Sequence, residues 1–362
     1  MPCGLTLVNL SYNIWQGSWF PVVYVFSYRA NGKVFDLSEN GIGCLFYYVK
    51  GIVIMSSFLV TGGCGFIGSH LTDQLLERGH KVRILDDLST GKRSNVSEAC
   101  EIVVGDVSDE QMVKQSMAGM DGCFHLAAIA SVQRSNEEWV RTHQVNLTGS
   151  VNVFEAARSQ QLPVVYASSA AVYGDNPNMP LVEAADTLPI TAYGADKLGS
   201  EQHGRVATLA HGVPTVGLRF FNVYGPRQDP ASPYSGVISI FMDRIMGDKP
   251  LTVFGDGLQT RDFVYVADVV RFLMASMEQA SDTPKVFNVC TGKSVTINEL
   301  ADTLIDITGN SVEVSHLEAR KGDIRISLGN PEKAATELSI RAENDLRQGL
   351  SKLVDFVRTD SE

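Results

Sequence analysis

From Phe58 onward, short unbroken apolar runs alternate with stretches that repeat their apolar residues at helical spacing. Phe58–Thr61 reads as a strand, Phe66–Arg78 as a helix closed by Gly79, and Val82–Asp86 as a second strand. Glu101–Gly105 and Cys123–Ala127 read as two more strands, followed by one long helical stretch over Glu137–Gln160. Val164–Ser168 reads as a strand, Ala192–Ala210 as a helix and Thr215–Arg219 as another strand. Strands apolar on both faces and separated by helices predict a buried parallel sheet with helices on each side.

Near Pro226 the pattern changes. Proline and glycine become frequent (Pro226, Pro230, Pro233, Gly236), and short strands mix with helices. The expectation is an α/β chain: a Rossmann-type doubly wound parallel sheet over residues 55–225, and a smaller mixed α/β C-terminal lobe over 226–362 that closes over a ligand, with chain segments interleaving between the two.

Residues 1–54 read differently. They are rich in Tyr, Phe and Trp, with clusters such as Trp19-Phe20-Pro21-Val22-Val23-Tyr24-Val25-Phe26. These are too short to span a bilayer, which needs about 20 apolar residues, and no basic segment with an apolar core and a small-residue cleavage site is present. Met55, just before the first clear strand, is expected to be the real start, with the upstream segment a translated leader or a misassigned start. A genuine extra hairpin or a membrane-surface anchor is the alternative.

The composition, 44% hydrophobic and 20% charged, is that of a globular chain. A net charge of −11 argues against nucleic-acid or anionic-membrane partners, which need clustered Lys and Arg. It leaves room for a phosphate-bearing ligand, because a few arginines and backbone N–H groups suffice. The six cysteines (Cys3, Cys44, Cys64, Cys100, Cys123, Cys290) form no CxxC pair, so neither a metal site nor a disulfide framework is indicated. Reduced, mostly buried cysteines in a cytoplasmic protein are expected.

Gly62-Gly63-Cys64-Gly65-Phe66-Ile67-Gly68 lies between the first strand and the first helix. Glycine at 62, 65 and 68 permits a tight turn, close approach of a pyrophosphate and close helix–strand packing. The helix N-terminus then faces the phosphates. The second strand ends in Asp86-Asp87, where Asp86 would accept hydrogen bonds from the adenosine ribose. A carboxylate there repels a 2′-phosphate and favours NAD, while Lys92 and Arg93 keep NADP open. Asp106, in Gly105-Asp106-Val107, could bond the adenine amino group. The small residues of Leu126-Ala127-Ala128 would let the cofactor lie against the sheet edge, although simple core packing explains the alanines equally well.

Tyr193 and Lys197 are four residues apart near a helix start, so both side chains point the same way. A phenol with a pKa near 10 is a poor base at neutral pH. A nearby ammonium and a nicotinamide cation would favour its phenolate and lower that value. The YxxxK spacing alone is common by chance. Ser168-Ser169-Ala170-Ala171-Val172-Tyr173-Gly174, at the end of the preceding strand, makes chance a weak explanation, and Ser169 can share the proton.

The set GGCGFIGSH, HLAA, SSAAVYG, YGADK, RFFNVYGPRQ and GDGLQTRDFVYVADVV resembles the extended short-chain dehydrogenases that act on nucleotide sugars, over about residues 56–355. Within them it is most similar to the UDP-glucose and UDP-N-acetylglucosamine 4-epimerases. The resemblance implies NAD as cofactor, a UDP-sugar as substrate and a homodimer built through the two long helices. It implies Ser169, Tyr193 and Lys197 as the catalytic trio, with Phe221 at the nicotinamide, Asn146 among the cofactor residues, and Ser131, Asn222 and Arg227 on the substrate. Arg261 would hold the diphosphate, and Arg320 and Asp323 the uridine and phosphate end. For Arg261 a surface ion pair with Asp262 or Asp256 is the plainer alternative. The sugar dehydratases carry an Asp-Glu pair where this chain has Ala170 and Ala171, which argues against dehydration. Ser327, four residues after Asp323, would leave room for an N-acetyl group at the sugar 2-position, unless it is just a small loop residue. UDP-glucuronate decarboxylation, another nucleotide-sugar oxidoreduction, or a non-catalytic NAD-binding scaffold are the rival readings.

Overall fold

The computed structural model describes residues 28–30, 33–35, 55–229, 236–319 and 324–360. The chain divides into two compact units, Met1–Ile54 and Met55–Glu362. In the first, two three-residue strands, Tyr28–Ala30 and Lys33–Phe35, pair antiparallel; the clusters around Trp15 and Trp19 lie outside the described residues.

In the second unit seven strands form one parallel sheet: β1 (Ser57–Thr61), β2 (Lys81–Asp86), β3 (Glu101–Val104), β4 (Gly122–His125), β5 (Val164–Ser169), β6 (Thr215–Phe220) and β7 (Lys285–Val289). Their spatial order is 3-2-1-4-5-6-7, with Val60 beside Ile84 on one side and Phe124 on the other. The order reverses between β1 and β4, and a doubly wound sheet opens a crevice at that reversal, at the carboxyl ends of its strands. Every residue of β6 is buried, as expected for an inner strand covered on both faces.

Helix Phe66–Glu77 packs beside Val266–Glu278. Glu110–Met117 packs against Gly149–Arg158, which packs against Ala192–His211. Leu71 and Leu75 of the first helix are fully buried, each worth about 1.5–3 kcal/mol in removed apolar surface. Thr191 caps Ala192–His211 by accepting from the Gly194 N–H at 3.0 Å, and Gly212 ends it in the left-handed region at φ +71°.

Three elements depart from the sequence pattern. The helix expected over 137–160 breaks at Glu138 (φ −117°, ψ 48°) and passes through a π-helical turn, Gln144–Thr148. That turn brings Asn146 onto the backbone of Ile129, donating to its carbonyl (3.1 Å) and accepting from its N–H (2.8 Å). The fourth strand stops at His125: the Leu126 N–H makes the last ladder bond to the Thr61 carbonyl at 3.1 Å, and the Ala127 N–H turns to the Thr61 hydroxyl at 3.2 Å. Finally, β7 lies beyond Pro226 in sequence yet completes the first sheet, paired with β6 from Lys285↔Val216 to Val289↔Phe220.

The remaining C-terminal elements have their own core, with Ile238, Phe241, Leu300, Leu304 and Leu350 buried together. Small two-stranded pairs support it: Leu251–Phe254 with Val314–Leu317, Thr260–Arg261 with Val295–Thr296, and Asn222–Tyr224 with Phe263–Tyr265. No helix among the described residues is long and apolar enough to cross a membrane.

Candidate active site

A cleft of about 430 Å³ opens at the crevice and reaches from the glycine turn to Tyr193 and Lys197. Gly62 sits at φ +69°, and a Cβ there would lie 2.7 Å from the Ala127 nitrogen. A Cβ on Gly68 would lie 2.1 Å from the Gly62 carbonyl oxygen. The turn therefore closes only with hydrogen as side chain at these positions. No side chain caps the helix that begins at Phe66. Its first N–H groups and positive dipole end face the cleft with no acidic residue in the first turn, which is the donor chemistry a diphosphate needs. Phe66, Ile67, Leu126, Ala127 and Ala128 line the same space.

Asp86 and Asp87 also line it. The Asp86 carboxylate accepts from the backbone of Cys64 (2.9 Å) and Leu88 (2.9 Å), tying the second strand to the glycine turn. Burial raises its pKa from the ordinary carboxylate value, against these two N–H bonds that lower it. Asp87 is exposed and takes both the N–H and the hydroxyl of Ser89. Asp106 lines the cleft beside Val107 and is paired with Arg141, while its other oxygen accepts from Ser108 N–H at 2.8 Å. Burial would raise Asp106, but the backbone of Ser108 and the Arg141 guanidinium outweigh it and hold it low. Asn146 does not line the cleft; it is buried behind it and pins the loop of Ile129.

At the other end stand the trio. Ser169 lines the cleft beside Tyr193 and accepts from the Ala171 N–H at 3.1 Å. The Lys197 Nζ lies 5.8 Å from the centre of the Tyr193 ring and donates to the Ala167 carbonyl at 2.8 Å. Burial pushes Lys197 down to about 8, with Asp196 pulling the other way. In the chain alone the pKa of Tyr193 is raised, because burial outweighs the lowering effect of Ser169.

Of the described substrate candidates, Ser169 and Tyr193 line this cleft, and Ser131, Asn222, Arg227, Arg261 and Ser327 do not. Phe221 lines it, with its N–H on the Val289 carbonyl. Asn222, Arg261 and Ser327 meet instead around Asp262. Asn222 donates its N–H to the Asp262 carbonyl at 3.1 Å, and Ser327 donates its own to the Thr260 carbonyl at 3.1 Å. Arg261 Nη1 reaches the Thr260 carbonyl at 2.8 Å. Both acids named as plainer partners for Arg261 have other occupants. Asp256 holds Arg325 through two bonds of 2.7 and 2.9 Å. Asp262, fully buried, accepts from Thr291 N–H and hydroxyl, Gly292 and Gly329. Arg227, in the left-handed region at φ +66°, is turned to Asp73 at 2.8 Å and does not line the cleft. Ser131 caps Val132–Glu137, accepting from Arg134 N–H at 3.0 Å, and is likewise not among the lining residues. Arg320 and Asp323 lie outside the described residues.

Sequence reasoning missed Arg141, Asp262, and the loop of Ser89, Thr90 and Gly91 that lines the cleft. A signal existed for the loop, since it follows Asp86-Asp87 directly. Nothing in the sequence signalled that Arg141 reaches back 35 residues to Asp106.

The model of the NAD dependent epimerase/dehydratase family matches residues 58–290. A UDP-glucose 4-epimerase of Mycolicibacterium smegmatis is 35% identical over 312 residues, covering 84% of this chain and 99% of its own. Among solved structures, the UDP-N-acetylglucosamine 4-epimerase of Methanobrevibacter ruminantium, in complex with UDP-N-acetylmuramic acid, is 38% identical with a TM-score of 0.81, covering 84% of this chain and 99% of that one. The UDP-glucose 4-epimerase of Thermus thermophilus, in complex with NAD, is 35% identical with a TM-score of 0.78, over 83% and 99% of the two chains.

Proposed function

This chain belongs to the NAD dependent epimerase/dehydratase family, and from that premise we propose that it is a UDP-hexose 4-epimerase working through a transient 4-keto sugar. The observation that carries the reading is that Ser169, Tyr193 and Lys197 share one cleft with an uncapped glycine turn. The turn and helix start at Gly62, Gly65 and Gly68 fit a dinucleotide diphosphate, Asp86 its ribose, Asp106 its adenine, and Tyr193, Lys197 and Phe221 the nicotinamide end. Bound there, NAD⁺ would take the sugar C4 hydride and return it.

Tyr193 exchanges the proton of the sugar 4-hydroxyl, and Ser169, beside it in the cleft, shares it. Lys197, still largely protonated at neutral pH with its pKa near 8, favours the phenolate. Returning hydride to the opposite face requires the nucleotide to be held while the hexose stays loose. Arg261 is assigned to the diphosphate, Arg320 and Asp323 to the uridine end, and Asn222 to the sugar diphosphate; Ser327 leaves room for an N-acetyl group, so UDP-GlcNAc and UDP-GalNAc are included with UDP-Glc and UDP-Gal. Ala170 and Ala171 offer no second acid–base pair for dehydration. Exposed Trp139, Val140, Val206 and Leu209 on the two long helices support a homodimer.

The test is incubation with UDP-galactose and with UDP-GalNAc, followed by NMR of the C4 epimers. Turnover of UDP-galactose is expected. No turnover of either, with conversion of UDP-glucuronate, would replace epimerisation by decarboxylation.

A further inference from the structure

Beneath the cleft lies a buried cluster that the reaction does not use directly. Glu201 follows Lys197 by four residues on Ala192–His211, so Tyr193, Lys197 and Glu201 share one helix face. Its carboxylate accepts from the Ser168 hydroxyl and from Arg219, through Nε at 2.8 Å and Nη2 at 2.7 Å. Ser168 and Arg219 are direct neighbours on β5 and β6. Exposure is 1% for Ser168, 5% for Arg219 and 6% for Glu201. Arg219 extends the cluster, donating to the Glu183 carbonyl at 3.0 Å and lying 4.7 Å over the Tyr173 ring.

Two successive residues of β5 are thereby gripped by one helix, next to a third, Ser169, that lines the cleft. Ala167 receives Lys197 through its carbonyl, Ser168 donates to Glu201, and Ser169 faces the same cleft as Tyr193. A buried ion pair is a weak source of stability, since matched apolar residues often replace it at no loss. Its geometric effect is different: two guanidinium donors and one hydroxyl converge on a single carboxylate and leave the helix one height above the strand.

We propose that Glu201 is a positioning residue, which through Ser168 and Arg219 sets the helix against the end of β5 and so holds Tyr193 in place beside Ser169. The proposal rests on the reading of Tyr193 as the base. Ser169 lowers the phenol's pKa against burial, so moving Tyr193 away from it raises that value. The titratable groups facing the ion pair are Tyr166 and Tyr173, and those facing Lys197 are Asp196 and His125. All four stay in place in the variants below.

The NAD-loaded full chain is compared with Ser168→Ala, Glu201→Gln and the double variant Glu201→Met/Arg219→Met. The measurements are melting temperature, kcat and KM for UDP-galactose, and titration of Tyr193 by fluorine NMR of fluorotyrosine-labelled protein, assigned with Tyr193→Phe. Ser168→Ala should melt near the native temperature, lose about tenfold or more in kcat with KM within about twofold, and titrate Tyr193 at higher pH. The double variant should recover the melting temperature that Glu201→Gln loses, but neither kcat nor the titration. Native kcat and titration in Ser168→Ala, or their recovery along with stability in the double variant, would reduce the cluster to a structural ion pair. If native protein leaves UDP-galactose unchanged, the proposed substrate fails while the Tyr193 titration still decides the role of Glu201.

Discussion

Arg141, on the short helix Trp139–His143, closes on the carboxylate of Asp106 beyond the end of the third strand. Helix Gly149–Arg158 holds this segment twice more: Asn152 donates to the Val107 carbonyl at 3.0 Å, and a Cβ on Gly149 would meet Val107 at 2.8 Å. If Asp106 reads the adenine, Arg141 fixes how it does so. Arg141→Ala should weaken NAD binding about tenfold, the worth of one charged hydrogen bond. Calorimetric titration of NAD-stripped protein checks this, and Asp106→Ala with Arg141→Ala should cost little more than Asp106→Ala alone.

Tyr193→Phe should lower turnover about a hundredfold or more, as expected when a general acid–base group is lost. The phenyl ring keeps the packing of the cleft, so NAD should remain bound. NMR of UDP-galactose turnover and the cofactor released on denaturation report the two halves separately; unchanged turnover removes Tyr193 as the base.

Lys197 links stability to pH. Burial lowers its folded-state pKa from 10.5 to about 8. Between those two values the unfolded chain holds more proton than the folded one, so this group makes stability rise with pH across that window. Relative to Lys197→Met, the native protein should gain stability from about pH 8 upward and show no relative change below about pH 7. Melting curves of both proteins over that range check the sign. A gain confined to acid pH would show that Lys197 is not the buried cation described.

Gly68→Ala should be far more harmful than its size suggests. Its Cβ would meet the Gly62 carbonyl oxygen at 2.1 Å and the Gly63 Cα at 2.8 Å, both backbone. Such overpacking costs about 1–3 kcal/mol or more and distorts the turn. Protein purified with this substitution should carry little or no NAD, and a native NAD content would show that the turn can open.

Asp262→Ala should destabilise the chain by about 2–4 kcal/mol in urea unfolding, because the N–H groups of Thr291, Gly292 and Gly329 lose their shared acceptor. Ser327, two residues before Gly329, should be displaced with it, visible as a raised KM for the nucleotide sugar at little changed kcat. A variant of native stability would mean that these loops hold their places without the carboxylate.

The sequence by itself determined the doubly wound sheet, the glycine turn and the Tyr193–Lys197 face, because each rests on spacing within one element or across one turn. Strand and helix periods are local, and residues four apart on a helix must point the same way. Tertiary structure alone decided the rest. Arg141 meets Asp106, Glu201 meets Ser168 and Arg219, and β7 joins the first sheet, each across a stretch of chain that leaves no periodic trace. The raised pKa of Tyr193 belongs with these: burial set it, and burial is the sum of neighbours brought from several strands and helices that no single segment can report.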